Sequence, residues 1–336
     1  MGWRMSKWTS CIIMPVIAVM LCACGSVADY STQVDAFATA TSKARDALAD
    51  YDKVIDQEVL AQNTEVALSN RGYLRPKTGD CIKPADLGDT GRCRLVLKPQ
   101  NGAETLLEPE PADSRTRQIM AGVVTYAGNL KAIAAAATSS EIDAAKDKAV
   151  ANLQSFAGNL DTAFKTNGSL AKKINDYAGP ISEVGGYILS KAAEHEKIAA
   201  LREATGRMET VMPDVVGFFS ETGKTALGEK RLHLFDNYND ARQAYVDAEN
   251  DAHIKPEMLR AKLDSLRTAA AAYDAALSTD PIAVFKALAD SHSKLTTALA
   301  AKNPDFSQFW PSIMRVLEEA AKIAELAEGL ESIAKK

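Results

Sequence analysis

From Tyr30 onward, apolar and small side chains return every three or four positions: Tyr30, Val34, Phe37, Thr41, Ala44, Leu48, Tyr51, Ile55 and Val59. That spacing lines one stripe of an α-helix and predicts a heptad-like seam on a helix reaching to about Asn70. At 1.5 Å per residue such a helix is a rod roughly 60 Å long. Between Arg71 and Asp113 the pattern stops, because the prolines and glycines from Gly72 to Pro111 cannot sit in one continuous helix. Two strand-like pieces, near Cys81-Ile82 and over Arg92–Leu97, are expected to pair across Asp89-Thr90-Gly91 as a small β-hairpin insertion. The insertion reads either as an interaction site or as an ornamental excursion at the tip of a helix pair.

Helical spacing resumes at Ser114 and continues to the end of the chain. Thr138-Ser139-Ser140-Glu141 has the spacing of a capping box and divides two helices. Pro256, Pro281 and Pro304 each stand where a helix can begin. The amphipathic stripes that follow carry Leu259, Leu263, Leu266, Ala270, Tyr273 and Leu277, then Phe285, Leu288, His292, Leu295 and Leu299, then Phe309, Ile313, Leu317, Ala320 and Ala324. Short connections force antiparallel neighbours, so the predicted fold is all-α: an elongated antiparallel helical bundle with long helices and the stapled insertion at 71–113. Residues 30–255 form the long-helix bundle, and residues 256–336 a C-terminal three-helix unit that either stands apart or merges with it. The stretch from Gly179 to Tyr238 breaks the regularity with Gly185, Gly186, Gly217, Gly223 and Gly228. Its glycines mark close helix crossings, a flexible apolar tip that docks a partner through Phe218 and Phe219, or helix-poor coil.

Composition sharpens this picture. About one residue in six is alanine while only 6% are aromatic, which favours thin helices in close contact over thick sheets. The 39 basic and 44 acidic side chains leave a net charge of −5, and no basic cluster of useful size appears, so a nucleic-acid partner is not expected.

The start of the chain has its own signature. Arg4 and Lys7 stand in a segment without acids, and an apolar run from Cys11 to Ala23 follows, too short to span a bilayer as a helix. It ends in Leu21-Cys22-Ala23-Cys24, then Gly25-Ser26. This resembles the lipobox of bacterial membrane lipoproteins, with Cys22 standing where Ala, Ser or Thr is usual. The resemblance implies removal of residues 1–23 as a signal peptide, a diacylglycerol (with palmitate-type acyl chains) on the Cys24 thiol, and a short tether over residues 24–29. It also implies an anchored rather than spanning protein. Gly25, in place of Asp, points under the same family rule to the outer membrane, facing the periplasm. Surface display and a monoderm host stay open.

Processing also simplifies the cysteines. Cys11 and Cys22 leave with the signal and Cys24 carries lipid, so Cys81 and Cys93 remain and read as one disulfide in an oxidising compartment. With residues 1–23 gone, 37 bases face 44 acids and the mature charge is −7.

Motifs for chemistry are weak. Gly217 to Thr225 looks like a phosphate-binding loop, but five residues rather than four separate Gly217 from Gly223-Lys224-Thr225, so no nucleotide is expected. Ser-x-x-Lys occurs at Ser169/Lys172, Ser291/Lys294 and Ser332/Lys335, none of them before Lys77-Thr78-Gly79 as the penicillin-recognising enzymes require. His195, His233, His253 and His292 are scattered, and no catalytic, cofactor or metal site is expected. His292 falls in the apolar seam between Leu288 and Leu295 and reads as a hydrogen-bonded core residue before a ligand.

The expected function is therefore a lipid-anchored, non-catalytic scaffold or docking protein that binds another envelope protein. The alternatives are an immunity-type lipoprotein that blocks a periplasmic toxin or lytic enzyme through the Cys81 to Glu110 loop, and a small-ligand binder or enzyme with an interhelical pocket involving His292.

Overall fold

The computed structural model describes residues 30–69, 74–76, 95–98, 104–107, 114–164, 168–177, 189–278, 280–301 and 304–334. Cys24, Cys81, Cys93 and the segments 1–23 and 24–29 lie outside the described residues.

The first seam forms the helix the spacing calls for, α1 (Tyr30–Ser69). Tyr30, Val34, Phe37, Thr41, Ala44, Leu48 and Tyr51 are all buried along it. Three short strands follow: β1 (Leu74–Pro76), β2 (Leu95–Leu97) and β3 (Thr105–Leu106). They form one antiparallel sheet in the order β1-β2-β3, with Leu74 opposite Leu97 and Val96 opposite Leu106. The strand expected over Arg92–Leu97 is thus present in its second half. Its described partners are Leu74–Pro76 and Thr105–Leu106, and the expected pairing with Cys81-Ile82 lies outside the described residues. Asn63 of α1 fastens the sheet, donating from Nδ2 to the carbonyls of Leu106 at 3.1 Å and Leu107 at 3.0 Å.

Then come α2 (Ser114–Ala135), α3 (Ser139–Phe164), α4 (Ser169–Asn175), α5 (Leu189–Glu209), α6 (Met212–Glu249), α7 (Pro256–Ser278), α8 (Ile282–Ala300) and α9 (Phe309–Ala334). The capping box closes as its spacing predicts: the Glu141 amide donates to Thr138 Oγ1 at 3.3 Å, and the Thr138 amide donates to Glu141 Oε2 at 3.2 Å. Asp161 of α3 accepts from the amides of Leu170 and Ala171, both at 2.9 Å, and so caps α4 from outside.

α2 runs antiparallel to α1, pinned at its two ends by Lys131–Asp35 at 2.5 Å and Arg117–Asp56 at 3.5 Å. The most extensive helix pair is α1 with α9, and one cluster of buried side chains runs from Val34 and Phe37 through Leu130, Leu160 and Leu201 to Phe309 and Val316. α6 is long enough to have α7 packed along its second half and α8 along its first. Tyr273 of α7 meets Phe235 and Tyr238, while Phe285 of α8 stacks on Phe219.

α6 corrects the reading of the glycine-rich stretch, since it is one helix of 38 residues through Gly217, Gly223 and Gly228. Close crossings do not explain Gly217 or Gly228, because a Cβ at either would meet nothing within 4 Å. Close approaches lie at two other glycines: at Gly122, where a Cβ would overlap the Phe156 ring, and at Gly206 within the same stretch, where it would overlap the Tyr177 side chain. Alanine at Gly217 or Gly228 should therefore stabilise by up to about 1 kcal/mol each, whereas Gly122→Ala should cost about 1–3 kcal/mol by overpacking. Urea denaturation of the three variants checks the contrast, which fails if all three shift the same way.

Candidate functional site

The α6–α7 hairpin leaves the body of the molecule at Phe235. From Phe235 to Ala271 no side chain is buried, so the two helices form an arm. At its base Arg231 Nε donates to the Ala276 carbonyl at 3.0 Å, and Leu234, Ala272 and Ala276 are buried against the core. A cleft of about 750 Å³ opens between the arm, α1 and Leu330 of α9. Its walls are mostly small or hydroxyl-bearing: Ala61 and Thr64 on α1, Ala241 and Ala244 on α6, Ser265, Thr268 and Ala269 on α7. Alanines spaced three apart on both arm helices keep the walls low and let another backbone approach closely. Val54, Leu234, Ala272 and Leu330 are buried at one end, while Glu65, Asp240 and Lys262 are exposed around the opening. The cleft thus grades from apolar depth to a charged mouth, and its volume falls in the range of ligand and peptide sites between helices.

The second chemically distinctive cluster is buried at its histidine and tyrosine. His292 on α8 is fully buried, its Nδ1 2.7 Å from Glu209 Oε2 and its Nε2 2.7 Å from Tyr126 Oη. A carboxylate only accepts, so in the neutral imidazole Nδ1–H donates to Glu209, and the bare Nε2 accepts the Tyr126 hydroxyl proton. The rings of Phe37 and Tyr126 flank the imidazole with centroids at 5.9 and 5.5 Å. Burial, with a smaller contribution from the Glu209 charge, pushes the Tyr126 phenol well above its ordinary range. This is the hydrogen-bonded core histidine expected from the seam. Carboxylate, imidazole and hydroxyl stand in the order of a proton relay, with Tyr126 1% exposed, and the cluster ties α2, α5 and α8 together.

Glu209 is the partly exposed member. The hydrogen bond from His292 holds its carboxyl below the usual glutamate range, against the opposing effect of partial burial. A depressed folded value contributes stability that is present above the unfolded glutamate value, about 4.3, and is lost as pH falls through the lowered one. Stability measured by urea at successive pH values should therefore fall on the acid side, and Glu209→Gln should flatten that limb. An unchanged slope would remove Glu209 from the linkage.

Phe218 and Phe219, expected as docking anchors, are corrected by their burial: they are 4% and 1% exposed, and Phe219 stacks on Phe285 with centroids 3.4 Å apart. They pack α6 against α8 and present nothing to a partner. The phosphate-loop lookalike from Gly217 to Thr225 lies inside α6, where helical backbone cannot wrap a phosphate. Ser169/Lys172 and Ser291/Lys294 lie on α4 and α8, while Lys77-Thr78-Gly79 and Lys335 are outside the described residues. His195 is half-buried beside Glu194, which binds the Tyr30 hydroxyl and pairs with Lys197 at 3.0 Å. His253 is exposed near the tip of the arm. Among the described residues no group of three or more His, Cys, Asp or Glu side chains could hold a metal, and no helix is long and apolar enough to cross a membrane.

Comparison of the chain with protein-family models, with curated proteins and with solved structures finds no match.

Proposed function

We propose that the protein is a lipid-anchored docking module of the cell envelope, without catalysis of its own, and that it seats a segment of another envelope protein in the cleft between α1 and the α6–α7 arm. The address rests on Leu21-Cys22-Ala23-Cys24 and the basic, then apolar, run before it. The observation that carries the docking role is the open cleft along Val54–Ser69 of α1, far from the end that begins at Tyr30, six residues after Cys24. A lipid on Cys24 would hold α1 by its near end and leave the cleft at the far one. The burial of Tyr126 and His292 supports the non-catalytic half of the reading.

Two measurements test it. Labelled palmitate should be incorporated by the wild type and not by Cys24→Ser, and labelling of the variant would remove the address. A photo-crosslinking side chain at Thr268, inside the cleft, should give a defined adduct with an envelope protein that disappears in Ala269→Trp. An adduct indifferent to that block would sink the cleft as the seat.

One observation favours a second reading, in which the insertion blocks a periplasmic toxin or lytic enzyme. Asn63 fastens the β-sheet to α1, and Leu74 and Leu95 are 41% and 38% exposed on it. Deleting residues 77–94 while keeping the sheet should then abolish protection and leave cleft crosslinking intact.

A further inference from the structure

Two packed helices cannot bury a seam on their own, and the arm shows this. Leu259, Leu263, Leu266, Ala270 and Tyr273 line one stripe of α7 and are only half-buried, while Leu277 at the end of that stripe is 50% exposed. By helical spacing this stripe lies to the side of the cleft-lining Lys262, Ser265, Ala269 and Ala272. On α6, Leu232 and Phe235 continue the apolar surface at 58% and 39% exposure. α6 covers this stripe on one side, where Tyr273 meets Phe235 and Tyr238, and the exposed Leu232, Phe235 and Leu277 leave the other side apolar and uncovered, away from the cleft.

Its charge is divided by helix. From Asp236 to Asp251 the α6 side carries Asp236, Asp240, Asp247, Glu249 and Asp251 against one base, Arg242. From Lys255 to Arg267 the α7 side carries Lys255, Arg260, Lys262 and Arg267 against Glu257 and Asp264. Among the described residues no ion pair joins the two helices of the arm; Arg267 reaches only Asp264 of its own helix, at 3.9 Å. With Asp240 and Lys262 assigned to the cleft mouth, the α6 side of the arm is still net acidic and the α7 side net basic beside the apolar stripe.

A surface of that kind is complementary to itself. We propose that a second copy of this chain covers it, the two arms packing face to face about a twofold axis along their length. α6 of each copy then lies on α7 of the other, completing a four-helix bundle. The axis suits an anchored protein. His292 joins Phe37 of α1 to Glu209, just before α6, and Arg231 bears on Tyr51 further along both helices, so α1 and α6 run the same way. A twofold along the arm keeps the two α1 starts at the same end, as two copies on one membrane require. The inference goes beyond the cleft, which stays open in such a dimer.

The test is sedimentation velocity on the full mature chain carrying Cys24→Ser. A reversible dimer that loosens as salt is raised is expected. Asp236→Lys with Asp247→Lys makes both sides basic, and Arg260→Glu with Arg267→Glu makes both acidic, while all four positions avoid the cleft lining. Each double variant should self-associate at least roughly tenfold more weakly than wild type, and a mixture of the two should regain the dimer. Circular dichroism confirms that both stay helical. Leu263→Glu, a charge within the stripe, is the second route if either double variant loses helix, and it should be monomeric. A wild-type chain that stays monomeric at all concentrations overturns the proposal. So does a dimer that none of these variants weakens, which would place the contact elsewhere.

Discussion

His292→Ala should destabilise the fold by about 3–5 kcal/mol, one of the two largest effects expected of a single substitution here. The imidazole is fully buried, so its loss leaves a void beside Phe37 and Tyr126 that the closely packed helices fill only in part. It also strands the hydroxyl of Tyr126, a residue 1% exposed, without the acceptor 2.7 Å away. Tyr126→Phe removes only a donor and leaves Nε2 unsatisfied, which should cost about 1–3 kcal/mol. Because both variants break the same bond, the double variant should cost less than the sum of the two. Urea denaturation gives all three values. Strict additivity would mean that the Tyr126–His292 bond is not made in solution, and a cost below about 1 kcal/mol for His292→Ala would mean that the imidazole is not in the core.

Phe219→Ala should cost about 3–5 kcal/mol, with the same measurement as its check. Its ring is 1% exposed, stacked on Phe285 and edge-on to Phe218 at 5.5 Å, so truncation removes the layer between α6 and α8. Phe235→Ala, on a ring already 39% exposed, should cost about 1 kcal/mol or less. The pair separates two roles that sequence alone confuses. A docking aromatic loses its partner and keeps its stability, whereas a core aromatic does the reverse. A Phe219→Ala protein as stable as wild type would reopen the docking role.

The contrast between these phenylalanines shows where the sequence was legible. Long periodic segments were read well: the seam from Tyr30 to Tyr51 is buried where its spacing says, and the Thr138–Glu141 box caps the next helix. Around Phe218 the sequence leaves three readings open, because glycines in successive helical turns weigh heavily on a local scale. Each costs up to about 1 kcal/mol, and burial of Val215, Phe218, Phe219 and Leu234 along the same helix offsets that penalty. His292 could be placed in a seam from its neighbours, but its partners lie 166 and 83 positions away, and no local pattern reports a contact at that distance. The arm is the deepest case. The stripe from Leu259 to Leu277 has the same spacing as the stripe from Leu288 to Leu299, yet the first is half-exposed and the second buried. Periodicity tells which side of a helix is apolar and says nothing of what lies against it.

The pairing of α1 with α9 has a consequence for how the molecule is made. The first and last described helices share the most extensive contact in the fold, so the apolar seam of α1 has its main cover only after every other helix has been produced. Closing that contact joins segments at opposite ends of the chain, which makes it a late and entropically demanding step. The hairpin of α6 and α7 and the pair α2 and α3 meet through neighbouring sequence and can form early. Loss of α9 would therefore act less like trimming a terminus than like removing one wall of the core: α2 and α3 would still find each other, while α1 would lose the most extensive of its contacts and leave apolar surface open to whatever else is folding nearby.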